Sequence, residues 1–217
     1  MSIDRAGLPF IGGPLLLALL LLAVRRPVPA GLCLALAACM ALFFRDPERR
    51  VPSGDDLVVA PADGRVMVAG AATPDLAPPG EWQQVSIFLS PFDVHVNRVP
   101  FGGRVTRVEH RPGRFLPAYR AESGRDNERT EIWIERDGRV VVARQVVGVL
   151  ARRVVCRLME GATPATGDRY GLMKFGSRMD VFVPRDATLG VSIGDRVRGG
   201  ETPIARLPAR PERVRPR

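Results

Sequence analysis

Two apolar segments at the start of this chain limit what it can become. Residues 8–24 and 27–44 carry no charged side chain and are joined by Arg25-Arg26-Pro27. They are 17 and 18 residues long, against about 20 for a helix that spans a bilayer. Together they are too long for a cleaved signal peptide, and no small-residue cleavage site follows the first. The pattern predicts a retained membrane hairpin, spanning or re-entrant, with Gly12, Gly13 and Pro14 weakening the first helix and Pro27 and Pro29 making the turn. A buried pair of core helices is the alternative. Arg5, Arg45, Arg49 and Arg50 flank the outer ends, which places those ends on the cytoplasmic side if both segments cross. Arg25 and Arg26 in the opposing turn favour a shallow hairpin instead. In either case the body from residue 51 is expected at the cell membrane, on its cytoplasmic side.

The rest of the composition excludes several classes. Apolar residues make up 46% and charged residues 25% of 217, so the chain is not disordered as a whole. Three cysteines without a CxxC spacing provide neither a disulfide framework nor a structural zinc site. Two histidines are too few for a metal site built on imidazoles, and no metal is expected. The net charge of +9 is concentrated at the ends, with six Arg against three acids in residues 1–50 and five Arg against one acid in residues 205–217. That basic, Pro-rich tail is predicted to be disordered, free in solvent or lying on an anionic lipid surface. No nucleic-acid motif or set of stacking aromatics accompanies it, so nucleic acid is not an expected partner.

From residue 57 the apolar pattern shifts to short runs of period two. Strands are predicted at 57–60, 65–69, 84–89, 94–99, 104–110, 130–135, 139–150, 153–158 and 179–184. Asp63-Gly64 and Asp137-Gly138 are hairpin-type turn signals. Nine strands without body helices predict a mainly β sandwich or barrel. Residues 59–66 and 191–201 look like the two halves of a biotinyl/lipoyl-type barrel-sandwich hybrid. The domain reading is therefore an apolar hairpin at 1–50, a β body at 51–204 and the tail at 205–217. Residues 112–129 carry no strand pattern, and read as a mobile loop over a site or as a surface excursion.

Few groups here can do chemistry near neutral pH. His95 lies in Ser90-Pro91-Phe92-Asp93-Val94-His95-Val96-Asn97-Arg98-Val99-Pro100. In an extended segment Asp93, His95 and Asn97 share one face, and Val94 and Val96 share the other. That suits an imidazole held by a carboxylate, and equally a solvent-facing polar edge. His110, between charged residues at a strand end, reads as a surface histidine. Gly176-Ser177 sits between an apolar run and a β run, and a glycine there permits close approach to its carbonyl.

Taken together these pieces resemble the short form of the phosphatidylserine decarboxylase family of proenzymes. The matching segments are Phe43-Phe44-Arg45-Asp46-Pro47-Glu48-Arg49, Ala60-Pro61-Ala62-Asp63-Gly64, Ser90–Pro100, Pro112-Gly113-Arg114-Phe115 with Asn127-Glu128-Arg129, and Phe175-Gly176-Ser177-Arg178. They occur in family order along nearly the whole chain.

The resemblance implies that Ser177 attacks the carbonyl of Gly176 and converts the amide to an ester. β-Elimination then releases a chain ending at Gly176, and the dehydroalanine left at 177 hydrolyses to a pyruvoyl group and ammonia. The expected products are a β chain of 176 residues and an α chain of 41, paired as a heterodimer, with further self-association left open. The pyruvoyl cofactor would form a Schiff base with phosphatidylserine and release CO2 to give phosphatidylethanolamine. His95 is the implied base and proton donor, with Asp63 preferred over Asp93 as the group that orients it. Arg98, Arg114 and Arg129 are candidates for the substrate phosphate. Longer bacterial members carry two histidines in the segment matching 93–100, and the second position here is Arg98. A non-catalytic membrane-anchored adaptor on a biotinyl/lipoyl-like barrel is the competing reading. A carrier domain needs a modifiable lysine in a hairpin, and the only lysine, Lys174, lies elsewhere.

Overall fold

The computed structural model describes residues 2–149, 154–173 and 177–208. The chain enters as a two-residue strand, β1 (Ser2–Ile3), and a single 3-10 turn at Arg5–Gly7. Two apolar helices follow, α1 (Leu8–Ala23) and α2 (Pro27–Phe43), packed as a hairpin. Ala18, Ala30 and Ala37 are buried in them, while leucines 15, 16, 17, 19, 20, 32, 36 and 42 are exposed. Small residues let the two backbones approach, and the large apolar side chains face outward, which reverses the pattern of a soluble core. The stretch Arg5–Ala23 is long and apolar enough to cross a membrane by length and composition, and Pro27–Phe43 is shorter.

After the hairpin come β2 (Arg45–Asp46), β3 (Leu57–Val59), β4 (Gly64–Ala71), β5 (Trp82–Leu89), β6 (Val96–Arg98) and β7 (Arg104–Arg111). A short helix α3 (Ser123–Asp126) precedes β8 (Arg129–Arg136), β9 (Arg139–Val146), β10 (Val154–Cys156) and β11 (Arg169–Met173). The chain continues with β12 (Ser177–Pro184), β13 (Thr188–Leu189), β14 (Arg196–Val197) and β15 (Pro203–Arg206). The main sheet has seven strands in the order β14-β4-β5-β12-β9-β8-β7, and its pairings are antiparallel. Three-stranded sheets β10-β11-β6 and β13-β15-β3 contribute to a core that includes Val58, Ile87, Phe101, Ile134, Tyr170, Met179 and Ile204.

The body is mainly β, as its period-two pattern predicts, and all nine expected strands form. They do not close into a barrel among the described residues: the strands divide into separate sheets. The turn signals divide as well. Asp137-Gly138, at φ 55° and 75°, closes the β8–β9 hairpin with Arg136 opposite Arg139. Asp63-Gly64 closes no hairpin; Gly64 instead pairs with Val197, and a side chain there would lie 2.2 Å from the Phe88 carbonyl oxygen. Residues 112–129, expected as a mobile loop, are tied down. Asn127 Nδ2 donates to the carbonyls of Leu116 and Val147, both at 2.8 Å, and Arg144 and Arg178 donate to the carbonyls of Gly124 and Arg120.

The hairpin is joined firmly to the body. β1 pairs with β2, Arg157 grips the Asp4 carboxylate at 2.7 and 2.9 Å, and Phe44 is fully buried. Phe43, Phe44, Val94, Val96 and Leu172 make a second apolar cluster, so the foot of the hairpin packs against β6 and β11.

Candidate active site

Ser177 opens β12, opposite Leu89 of β5. Side chains alternate along a strand, so Ser177 lies on the same face as Met179, Val181 and Val183, all members of the main core. It is fully buried, and its hydroxyl oxygen has no hydrogen-bond partner among the described residues. An unmatched buried hydroxyl costs about 1–3 kcal/mol, so a folding role alone does not account for it. Arg178 and Asp180 point the other way. Their side chains bond to each other at 2.6 Å, and Arg178 also reaches Ser86 Oγ at 3.2 Å.

Two amides share the Ser177 face. Gln145 pairs with Met179 across the β9–β12 ladder, and cross-strand partners point to the same side. Its Nε2 donates to Asn97 Oδ1 at 2.7 Å, which joins β9 to β6. Asn97 Nδ2 and Gln145 Oε1 remain unmatched among the described residues, and both side chains are buried. The place therefore holds a buried hydroxyl, a spare amide donor and a spare amide acceptor, walled by apolar residues. That donor set suits a reactive serine, or a carbonyl group made from it, better than a hydrophobic core.

His95 lies just ahead of β6 and is completely buried, which excludes the solvent-facing reading. Its carbonyl accepts from the Met173 N–H at 3.3 Å, so the segment is fixed to the last residue of β11, four positions before Ser177. The ring lies 4.1 Å from that of Phe43 at the foot of the hairpin. Nδ1 is 2.9 Å from the Asp93 main-chain carbonyl. A carbonyl only accepts, so Nδ1 carries the hydrogen and the neutral ring keeps its lone pair on Nε2. Burial lowers the imidazole pKa from 6.5 to about 4, outweighing the upward pull of the Asp93 carbonyl and carboxylate.

Asp63 does not hold His95 at Nδ1. Both its oxygens receive Arg49 Nη2, at 2.8 and 2.9 Å, and Oδ1 also accepts from the Gly199 N–H. Asp93 supplies its main-chain carbonyl to the imidazole, and its carboxylate accepts from the Ser90 N–H at 2.8 Å. The three candidate arginines also separate. Arg98 is buried against Asp46 at 2.7 Å and the carbonyls of Pro47 and Gly167. Burial lowers its pKa, partly offset by Asp46. Arg129 is buried beside Glu131 and the carbonyl of Asn127. Its place on the ladder through Val146 to Arg178 puts it on the face away from the Ser177 hydroxyl. Arg98 is engaged, and Arg129, which keeps an unmatched Nε 3.6 Å from Glu131, faces away from Ser177. Arg114 is exposed, and its guanidinium makes no hydrogen bond or ion pair among the described residues. Gly176 lies outside the described residues, as do Lys174 and Phe175.

Gln145 is the residue that sequence reasoning missed. With Arg144 it interrupts an apolar run, Val-Val-Val-Ala-Arg-Gln-Val-Val, and that interruption was the available signal. Among the described residues, no three of His, Cys, Asp and Glu converge as a metal-binding group.

Comparison with known proteins bears directly on this geometry. The profile of the family described as phosphatidylserine decarboxylase matches residues 36–205. A phosphatidylserine decarboxylase proenzyme of Mycobacteroides abscessus is 47% identical over 210 residues, covering 95% of this chain and 88% of the relative. The proenzyme of Mycolicibacterium smegmatis is 46% identical over 206 residues, covering 93% and 88%. That of Chlorobium phaeovibrioides is 44% identical over 189 residues, covering 87% and 86%. With the matched region running from the foot of the hairpin through His95 and Ser177 to β15, the chain belongs to the phosphatidylserine decarboxylase family.

Proposed function

We propose that this chain is a membrane-associated proenzyme that cuts itself between Gly176 and Ser177 and then decarboxylates phosphatidylserine to phosphatidylethanolamine. The observation that carries the reading is the buried Ser177 hydroxyl with no hydrogen-bond partner among the described residues, at the first residue of a core strand within the matched region. In the processing step Ser177 Oγ bonds to the Gly176 carbonyl carbon, and the Gly176–Ser177 C–N bond breaks. His95 Nε2 takes the hydroxyl proton, and the spare Asn97 Nδ2–H is suited to the oxygen that gains charge. Elimination and hydrolysis then yield chains 1–176 and 177–217, the latter beginning with a pyruvoyl group, and ammonia.

When formed, that group supplies a carbonyl that captures the substrate amine and accepts the electron pair as CO2 departs. The remaining steps fall to side chains of this chain. Phosphatidylserine arrives with an ammonium group that must lose a proton before it can attack. Burial keeps His95 neutral, so its Nε2 lone pair can relay that proton. The imidazole then delivers a proton to the carbon that loses CO2; the net reaction consumes one proton, which solvent supplies. Arg114, exposed and uncommitted, is the arginine available for the lipid phosphate. Asp63 acts by fixing Arg49, and through it the segment that follows the hairpin.

The hairpin holds the body at the cell membrane, with Arg5, Arg45, Arg49 and Arg50 favouring the cytoplasmic side. Within the body, residues 59–66 and 191–201 are read as a biotinyl/lipoyl-related pair. The pairing of β4 with β14 and the bond from Ala60 N–H to the Thr202 carbonyl support this.

The test is direct. Purified protein reconstituted with phosphatidylserine should release phosphatidylethanolamine and CO2. It should also separate into two chains, the smaller about one fifth of the 23.7 kDa total and lacking a free N-terminal amine. Borohydride should abolish the activity. Activity from a continuous chain, or two chains without activity, overturns the reading.

A pH dependence follows from the buried imidazole. The unfolded chain binds a proton at His95 below about 6.5, and the folded chain only near 4. Stability from this group is therefore complete above 6.5 and is lost as pH falls towards 4, by on the order of 3 kcal/mol. Urea unfolding of uncut Ser177→Ala protein, with and without His95→Gln, measures it. The difference between the two curves should appear within that window, and a constant difference across it refutes the assignment.

A further inference from the structure

We propose that the turn Ser90–Asp93 is a second point of contact with the lipid surface, and that Phe92 enters the headgroup region beside the foot of the hairpin. The inference rests on the reading of this chain as an enzyme acting on a lipid.

Phe92 is 86% exposed, although it lies in an apolar-rich body that buries most of its large side chains. The turn beneath it is pre-ordered. Asp93 N–H donates to the Ser90 carbonyl at 3.0 Å, Ser90 N–H to Asp93 Oδ2 at 2.8 Å, and Phe92 N–H to Ser90 Oγ at 3.3 Å. Holding a bare aromatic ring on a fixed turn leaves little ordering cost for a partner that covers it.

The position of the turn identifies that partner. Arg45 stands just after α2 and donates from Nη1 to the Leu42 carbonyl at 2.6 Å and from Nη2 to the Phe92 carbonyl at 2.7 Å. One guanidinium thus ties the last turn of the apolar hairpin to the turn that displays Phe92. Leu42 is itself 59% exposed, so the outward apolar surface of the hairpin continues onto Phe92. Arg196, 75% exposed by side chain and 3.9 Å from Asp93, adds a cation at the same level. An apolar ring flanked by the exposed Arg196 and the half-buried Arg45 matches an anionic bilayer interface.

The same turn also orients the imidazole. Its Asp93 carbonyl holds His95 Nδ1. Seating of Phe92 would therefore fix the height of His95 above the headgroups.

The experiment uses the full chain carrying Phe92→Trp, reconstituted in phosphatidylcholine–phosphatidylserine vesicles. One set of vesicles has lipids spin-labelled at a shallow acyl position and another at a deep one. The emission of the new tryptophan, taken as the difference from protein retaining only Trp82 and Trp133, should fall at least twofold with the shallow label and less with the deep one. No quenching beyond that of the native tryptophans, or stronger quenching by the deep label, overturns the proposal. In parallel, Phe92→Asp should raise KM for vesicle phosphatidylserine about tenfold. Any change in kcat on a short-chain, monomeric phosphatidylserine should be smaller than the change in vesicle KM. An unaltered vesicle KM, or an equal loss on the soluble substrate, rejects it. Quenching needs no turnover, so an inactive but quenched protein would refute the decarboxylase reading and leave the lipid contact standing.

Discussion

Ser177→Ala leaves one continuous chain of 23.7 kDa and reduces phosphatidylethanolamine formation at least about 10⁴-fold, to background. Intact mass and a lipid assay on the same preparation measure both effects. The variant should fold as well as the parent, because the lost hydroxyl is buried and has no hydrogen-bond partner among the described residues. Removing such a group relieves a desolvation cost instead of breaking a bond. Urea midpoints should therefore be equal to, or slightly above, those of other uncut variants. This combination separates a reactive serine from a structural one. A cut Ser177→Ala chain would reject self-cleavage by this hydroxyl.

His95→Gln has the next largest effect, slowing both processing and turnover by about 10²–10⁴-fold. Glutamine keeps much of the side-chain volume against Phe43 and removes the titrating Nε2. Chain separation followed over time after synthesis measures the first effect. Phosphatidylethanolamine released per processed chain measures the second. Wild-type rates in both assays would remove His95 from the chemistry. Loss of processing with normal turnover per cut chain would limit it to the first step.

The local rules of the sequence carried a long way. Period-two patterning placed strands at 84–89, 130–135 and 179–184, inside the observed Trp82–Leu89, Arg129–Arg136 and Ser177–Pro184, although the last is buried on both faces. The uncharged runs located the hairpin for a different reason: its large apolar side chains face outward. The alternation in residues 93–97 separated Val94 and Val96, which pack on Phe43, from Asn97, which faces Gln145.

Pairings between distant segments were not legible. Asp63 is a plausible partner for an imidazole by motif, yet Arg49 takes it, and only three-dimensional proximity decides between them. Arg98 and Arg129 resemble phosphate donors in a linear sequence, and burial turns both into structural cations. The strand Arg169–Met173 was missed because its five residues include Gly171, where a side chain would lie 2.4 Å from the Val155 carbonyl oxygen. A glycine required by close strand approach resembles a break in the pattern.

The seven residues Phe43–Arg49, from the last residue of α2 onward, reach several distant segments at once. Phe43 packs its ring at a tilt against His95, Arg45 holds the Phe92 carbonyl, Asp46 binds Arg98, and Arg49 grips Asp63. The hairpin is consequently no detachable leash. Trimming the chain at residue 50 to obtain a soluble fragment would remove one wall of the imidazole niche and strip two inner ions of their counter-charges. Any water-soluble form of this enzyme should begin ahead of Phe43 and replace the outward leucines, leaving that clasp whole.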